Sequence, residues 1–184
     1  MRKVTVSPYD EEWVSLFEEE ANKLKGLLGE QAVEVHHFGS TAVPGMIAKP
    51  IIDILLVVRD ISLIEAYNAD LEAFGYEAKG ENGIPGRRFF QKGGDHRTHH
   101  LHVYQAGSPE IERHLAFRDY LRTHLVAMKE YGKLKEQLSQ QFPFDIESYI
   151  NGKEELASKI QGAALEWYRA LNGTDSSSSE ENNN

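Results

Sequence analysis

Two stretches of this 184-residue sequence carry side chains suited to phosphate and metal chemistry. The first is His37-Phe38-Gly39-Ser40-Thr41, followed by a loop punctuated by Pro44, Gly45 and Pro50 and then by Asp53. A glycine directly after an extended segment lets the backbone approach a ligand closely, and the next hydroxyls and amides, those of Ser40 and Thr41, can donate to phosphate oxygens. Asp53 is the only charged residue of Ile51-Ile52-Asp53-Ile54-Leu55-Leu56-Val57-Val58, a run apolar enough to be buried on both faces. A carboxylate there could hold a divalent cation beside the phosphate. The plainer alternative is that Gly39 only turns the chain and Asp53 accepts hydrogen bonds from loop amides.

The second stretch is His99-His100-Leu101-His102-Val103-Tyr104. His100 and His102 alternate along an extended segment and therefore share a face. With Asp53 from another strand they make a candidate one-metal site for Mg, Mn or Zn. The histidines His96, His99, His100 and His102 could equally contact phosphate directly, or form a hydrogen-bonded strand and turn with no ligand. Of the basic residues near these segments, Lys49, Arg87, Arg88, Lys92 and Arg97, the sequence places Lys49 and Arg88 nearest the cleft. Arg113, Arg118 and Arg122 follow on a helix. The aromatics Trp13, Phe17, Phe117, Tyr120, Tyr131, Trp167 and Tyr168 have helical spacing and read as packing residues.

The elements that must position these groups follow from periodicity. Trp13, Phe17, Ala21, Leu24, Leu27 and Leu28 predict an amphipathic helix from about Asp10 to Gly29. Strands are predicted over 32–38 and 51–58, then a helix over 61–74 stopped by Gly75. Three further strands, 76–79, 88–91 and 100–104, are separated by glycine-rich turns. Ser108-Pro109 is a helix start, with a capping hydroxyl before a first-turn proline. A helix or helix pair runs from there to about Gln141, and a last helical segment from Asp145 to Leu171. The pattern gives an α+β fold, a mixed sheet with helices, in one domain over 1–172 whose part from about 108 to 172 is helical. Residues 173–184 are polar and of low complexity, and are expected to be disordered.

Bulk properties narrow the chemistry. The sequence has no cysteine, so disulfides, thiolate metal sites and cysteine nucleophiles are excluded. A net charge of −9 opposes broad affinity for duplex nucleic acid while leaving room for a small phosphorylated or nucleotide ligand held locally. Met1 to Val6 has no apolar run of signal-peptide length, and no stretch approaches the roughly 18 apolar residues of a membrane span. A cytoplasmic location is therefore expected. The oligomeric state is not encoded in any pattern found.

The string from Phe38 to Asp53, Phe-Gly-Ser-Thr-Ala-Val-Pro-Gly-Met-Ile-Ala-Lys-Pro-Ile-Ile-Asp, resembles the GrpB family, within the nucleotidyltransferase superfold of the polymerase β type. The likeness extends through His99–Tyr104 and Arg113–Arg122 and covers roughly residues 5–170; related domains also occur fused to dephospho-CoA kinase. The resemblance implies a nucleotidyltransferase-like sheet flanked by helices. It also implies a site of two carboxylates one residue apart with a third from a neighbouring strand, holding two metals. Here Leu55 stands where the second carboxylate would be, and taking Asp53 as the second leaves Ile51 as the first. His100 or His102 would take the place of the third. Three activities fit: metal-assisted nucleotidyl or phosphoryl transfer with Asp53, His100 and His102 as catalytic and metal-holding residues, noncatalytic phosphate or nucleotide binding, and metal-dependent phosphohydrolysis.

Overall fold

The structure is a computed structural model in which residues 3–175 are described. The polar run over 176–184, most of the tail expected to be disordered, lies outside the described residues. The chain begins with α1 (Glu12–Leu28), whose buried stripe is Trp13, Glu20, Ala21, Leu24 and Leu28. The helix stops at Gly29, which takes a φ of 53° that other residues adopt at a cost. Next come β1 (Ala32–Phe38) and β2 (Ile52–Val58), joined by the loop that carries Gly39, Ser40 and Lys49. The predicted helix over 61–74 is divided: Ile61–Tyr67 is a tighter 3-10 helix, and only α2 (Asn68–Ala73) is α-helical. Three strands follow, β3 (Tyr76–Ala78), β4 (Arg88–Lys92) and β5 (His99–Gln105).

These form one five-stranded mixed sheet in the order β1-β2-β5-β4-β3. β2 and β5 run parallel at its centre, and the other pairs are antiparallel. A central parallel strand is covered on both sides, which is why β2 is apolar almost throughout, with Ile54, Leu55, Leu56 and Val58 at 0–1% exposure. The even-numbered residues of β2, Ile52, Ile54, Leu56 and Val58, pack with Leu101, Val103, Phe90 and the stripe of α1 into the main core. Asp53 and Leu55 point the other way.

That second face is covered by the helical third of the chain. α3 (Pro109–Thr123) starts at Ser108, whose side chain accepts from the Glu110 amide, and α4 (Leu125–Gln141) follows after a break at His124. The helix pair is thus two α-helices. α5 (Ile146–Asp175) packs on both and runs four residues past the predicted end at Leu171, through Gly173. Val43 and Met46 of the loop after β1 are buried among Leu121, Met128, Tyr131 and Ile160, so the loop is clamped between sheet and helices. Among the described residues no helix is long and apolar enough to cross a membrane.

Candidate functional site

The site forms where β1 ends. The antiparallel register sets Phe38 opposite Asp53, and the parallel register sets Asp53 opposite His100 and Leu55 opposite His102. Strand alternation then puts Asp53, His100 and His102 on one face, as the sequence spacing predicts. Asp53 Oδ1 lies 3.5 Å from His100 Nδ1 and 3.4 Å from His102 Nε2. Burial works to raise the Asp53 pKa, but the contacts with the two imidazoles and their charge outweigh it and hold the carboxyl well below its usual range. His102 shifts down, chiefly through burial, and is neutral at pH 7 despite its neighbour.

Gly39 makes room for that carboxylate. Its φ is 71°, and a Cβ built there would sit 2.5 Å from Asp53 Oδ2. No other residue fits without displacing Asp53, so the glycine is required by close approach as well as by backbone conformation. Arg118 Nη1 donates to the His37 carbonyl at 3.0 Å and Arg122 Nε to the Ala42 carbonyl at 2.8 Å, so α3 grips the loop on both sides of Gly39.

Ser40, Thr41, Lys49, Asp53 and His100 line a cavity of about 160 Å³. Lys135 from α4 and Lys153 from α5, two residues that the sequence did not single out, complete it with Tyr149. Lys135 is 2% exposed and donates to Ser40 Oγ at 2.8 Å. Burial, with Lys153 and Lys49 nearby, lowers its pKa to about 7, and burial with Lys49 lowers that of Lys153 to about 8. The signal for both was present in the sequence. Lys135 occupies a core position in the series Met128, Tyr131, Lys135, Leu138, and Lys153 does so in Tyr149, Lys153, Leu156, Ile160. A charge inside an apolar helical stripe calls for a partner that only the docked helices reveal.

Two expected phosphate ligands are placed differently. Arg88 lies opposite Val103, on the α1 face of the sheet, where its Nε is 3.3 Å from Glu65 Oε1. Strand parity is the reason: Arg87 and Phe89 share the His102 side, and Arg88 does not. Arg87 reaches the site instead, with Nη1 3.3 Å from His102 Nδ1, while Nε and Nη2 donate to the carbonyls of Glu81 and Asn82. Thr41 lines the cavity but is 1% exposed, and its hydroxyl is engaged by His37 Nε2 at 2.8 Å and by the Ile51 carbonyl. It braces the loop and has little to offer a ligand. Lys92 is bound to Glu20 on the α1 face, and His99 is buried on that same face, away from Asp53.

The donor set suits a divalent transition ion. Asp53, His100 and His102 each offer one ligand atom, all within 4.8 Å of one another, and His102 Nε2, which faces Asp53, is buried without a hydrogen bond of good geometry. Two imidazoles and one carboxylate favour zinc or manganese over magnesium, which prefers oxygen. One adjustment is needed. A guanidinium only donates, so Arg87 leaves the proton of neutral His102 on Nε2, aimed at Asp53. Binding through Nε2 requires the proton on Nδ1 and Arg87 Nη1 turned aside, its other two donors staying on the loop carbonyls.

A second cavity, of about 540 Å³, shares Ser40, Asp53 and Lys153 with the first. Its walls include Phe38, Phe117 and Tyr131, with Arg113, Glu154 and Gln161 also lining it. The helix aromatics Phe117 and Tyr131 therefore face a cavity as well as packing the core. Leu55, where a second carboxylate would stand, is fully buried with Phe38, Tyr104 and Leu115, and no metal could reach it.

The sequence pattern described as "GrpB protein" matches residues 3–162. The chain belongs to the GrpB family. A GrpB crystal structure from Enterococcus faecalis superposes with a TM-score of 0.86 at 45% identity, covering 89% of this chain and 99% of that one. UPF0157 protein YqkA of Bacillus subtilis (strain 168) is 48% identical over 176 residues, which are 96% of this chain and 51% of YqkA. The chain thus spans about half the length of that curated relative. A crystal structure of the Cid1 poly(U) polymerase with MgGTP aligns over 70% of this chain and 45% of its own at 14% identity, with a TM-score of 0.47. Membership of the GrpB family accounts for the α+β arrangement, and the family name specifies no reaction.

Proposed function

We propose that this GrpB-family chain is a metal-assisted nucleotidyl or phosphoryl transferase acting on a small nucleotide-type substrate. The observation that carries the reading is the convergence of Gly39-Ser40, Asp53, His100 and His102 at one end of the sheet, beside a cationic cavity. The roles divide by chemistry. The Gly39 backbone and Ser40 hydroxyl hold a phosphate against the strand end, and Lys49 adds positive charge. Asp53, His100 and His102 would hold a single ion; when bound, it would polarise a phosphoryl oxygen and offset charge that develops there. The gripped loop keeps these groups aligned before the substrate arrives.

Noncatalytic nucleotide or phosphate binding is the second reading, favoured by one observation: Leu55 sits in a dry apolar cluster where the paired carboxylate of a two-metal site would be. Metal content and calorimetric nucleotide binding with Mg²⁺, Mn²⁺ or Zn²⁺, for wild type and Asp53→Ala, test the site. Wild type should bind zinc or manganese together with nucleotide, and Asp53→Ala should lose the metal. A wild type that takes up neither metal nor nucleotide overturns both readings. Turnover of a nucleotide panel, scored for transfer and for hydrolysis, then separates enzyme from binder.

A further inference from the structure

Lys135 Nζ lies 2.8 Å from Ser40 Oγ, and among the described residues that is the only hydrogen bond the lysine makes. The side chain is 2% exposed, its nitrogen lies 5.0 Å from the centre of the Tyr131 ring, and no carboxylate of the described residues acts on it. Buried charge held for structure is paired, as Glu20 is with Lys92, because a lone charge removed from water costs several kcal/mol. Lys135 meets the same cost by giving up its proton: burial, with Lys153 and Lys49 nearby, brings its pKa to about 7. An uncharged amine has a lone pair, and at this distance it can take the proton of the serine hydroxyl.

Ser40 is placed to use that base. Gly39, at a φ of 71°, turns the chain out of β1, and Ser40 is half-buried and lines both cavities, whereas Lys135 lines only the smaller. The hydroxyl is thus open to a ligand in the cavity of about 540 Å³ while the amine behind it is screened from water. The neighbouring Thr41 hydroxyl has no such base and is held by His37. Lys153 lines both cavities as well, and with a pKa of about 8 it stays charged at pH 7, a cation to set against phosphoryl oxygens. In two-metal transfer the second ion activates the attacking oxygen, and Leu55 stands where a carboxylate would hold it. A lysine base supplies that activation without a second ion.

We propose that Ser40 is a nucleophile with Lys135 as its general base, and that transfer at this site passes through a phosphoryl or nucleotidyl group carried covalently on Ser40 Oγ. This deepens the proposed function and rests on its assignment of the cleft to phosphate: the hydroxyl that holds the phosphate is also the atom that attacks it. In the first step Lys135 Nζ takes the hydroxyl proton and Oγ bonds to phosphorus. The bond from phosphorus to the leaving oxygen breaks, and its electron pair departs with that oxygen. In the second step an acceptor hydroxyl or water attacks the phosphorus and releases its own proton to solvent. The bond to Oγ breaks, and Oγ recovers its proton from the Lys135 ammonium.

The test treats the full chain with an alkyl fluorophosphonate, whose phosphorus bonds to an activated serine oxygen and releases fluoride. The reaction is run without metal, so it stands or falls separately from the metal reading. Intact mass and peptide mapping should find the adduct on Ser40 and not on exposed serines such as Ser15. Lys135→Met, and Lys135→Arg, which keeps a cation but cannot act as a base, should each slow it by about a hundredfold in protein of unchanged circular dichroism. The wild-type rate should rise through pH 7 as Lys135 loses its proton and then level off. Lys153 still titrates near pH 8 in the Met variant, so the step missing there belongs to Lys135. During turnover of the nucleotide panel, acid quenching should trap the transferred group on Ser40. No adduct on Ser40, an adduct formed equally fast in folded Lys135→Met, or Ser40→Ala turning over nucleotide at the wild-type rate overturns the proposal.

Discussion

The two faces of the sheet both bury charge, and they treat it in opposite ways. On the α1 face Glu20 is 4% exposed, accepts from Tyr76 Oη and Lys92 Nζ at 2.7 Å each, and is approached by Lys23 at 3.3 Å. The carboxylate there meets donors from the same chain, although Arg88 Nε and His99 Nε2 on that face make no hydrogen bond. On the cleft face Lys135 is just as deeply buried, but among the described residues its only hydrogen bond goes to a neutral hydroxyl. Burial alone therefore does not mark a functional group. A buried ammonium with no carboxylate acting on it, in place of the Glu20–Lys92 pairing, is what distinguishes the cleft.

That contrast can be broken experimentally. Glu20→Ala strands Lys92 and the Tyr76 hydroxyl, and should cost about 3 kcal/mol in urea unfolding while leaving nucleotide affinity unchanged. A large loss of affinity would show that the two faces are coupled. Gly39→Ala should cost about 1–2 kcal/mol through its positive φ. Because its methyl group would lie 2.5 Å from Asp53 Oδ2 and push the carboxylate away, it should also abolish metal uptake; retained metal would mean that the carboxylate can move aside and still bind.

Lys135→Met should have the smallest effect on stability and the opposite sign, stabilising the ligand-free protein at pH 7 by on the order of 1 kcal/mol. The pH dependence follows from the folded pKa of about 7 lying below the ordinary 10.5. Between these values the unfolded chain holds a proton that the folded chain has released, so wild-type stability should rise from pH 7 toward pH 10. The Met variant should lack that rise, and its advantage should be greatest below pH 7. Parallel stability curves for the two proteins would mean that Lys135 is not desolvated as the structure has it.

Much of this molecule is written locally. The strand from Ala32 to Phe38, the apolar run of β2 and the stop at Gly29 follow from periodicity and backbone chemistry, and the meeting of Asp53 with His100 and His102 follows from parity. Arg88 shows how narrow that parity is. One step along the chain exchanges the cleft for the α1 face, and Arg87 rather than Arg88 reaches His102. Lys135 and Lys153 were harder to place, because their role depends on how α4 and α5 dock against a loop some hundred residues earlier. Their intrusion into apolar stripes is unusual, but no spacing rule brings two helices to the same cavity.

The grip of α3 on the loop after β1 bears on the entropy of binding. Arg118 and Arg122 hold the carbonyls of His37 and Ala42, while Thr41, Val43 and Met46 are each no more than 1% exposed. A phosphate-binding loop that orders only around its ligand gives up part of its affinity to that ordering. Here the backbone between β1 and β2 is already fixed by contacts that involve no ligand, so a phosphate bound as proposed would meet a loop with little conformational freedom left to lose. Most of what it would gain from Gly39 and Ser40 would then appear as affinity.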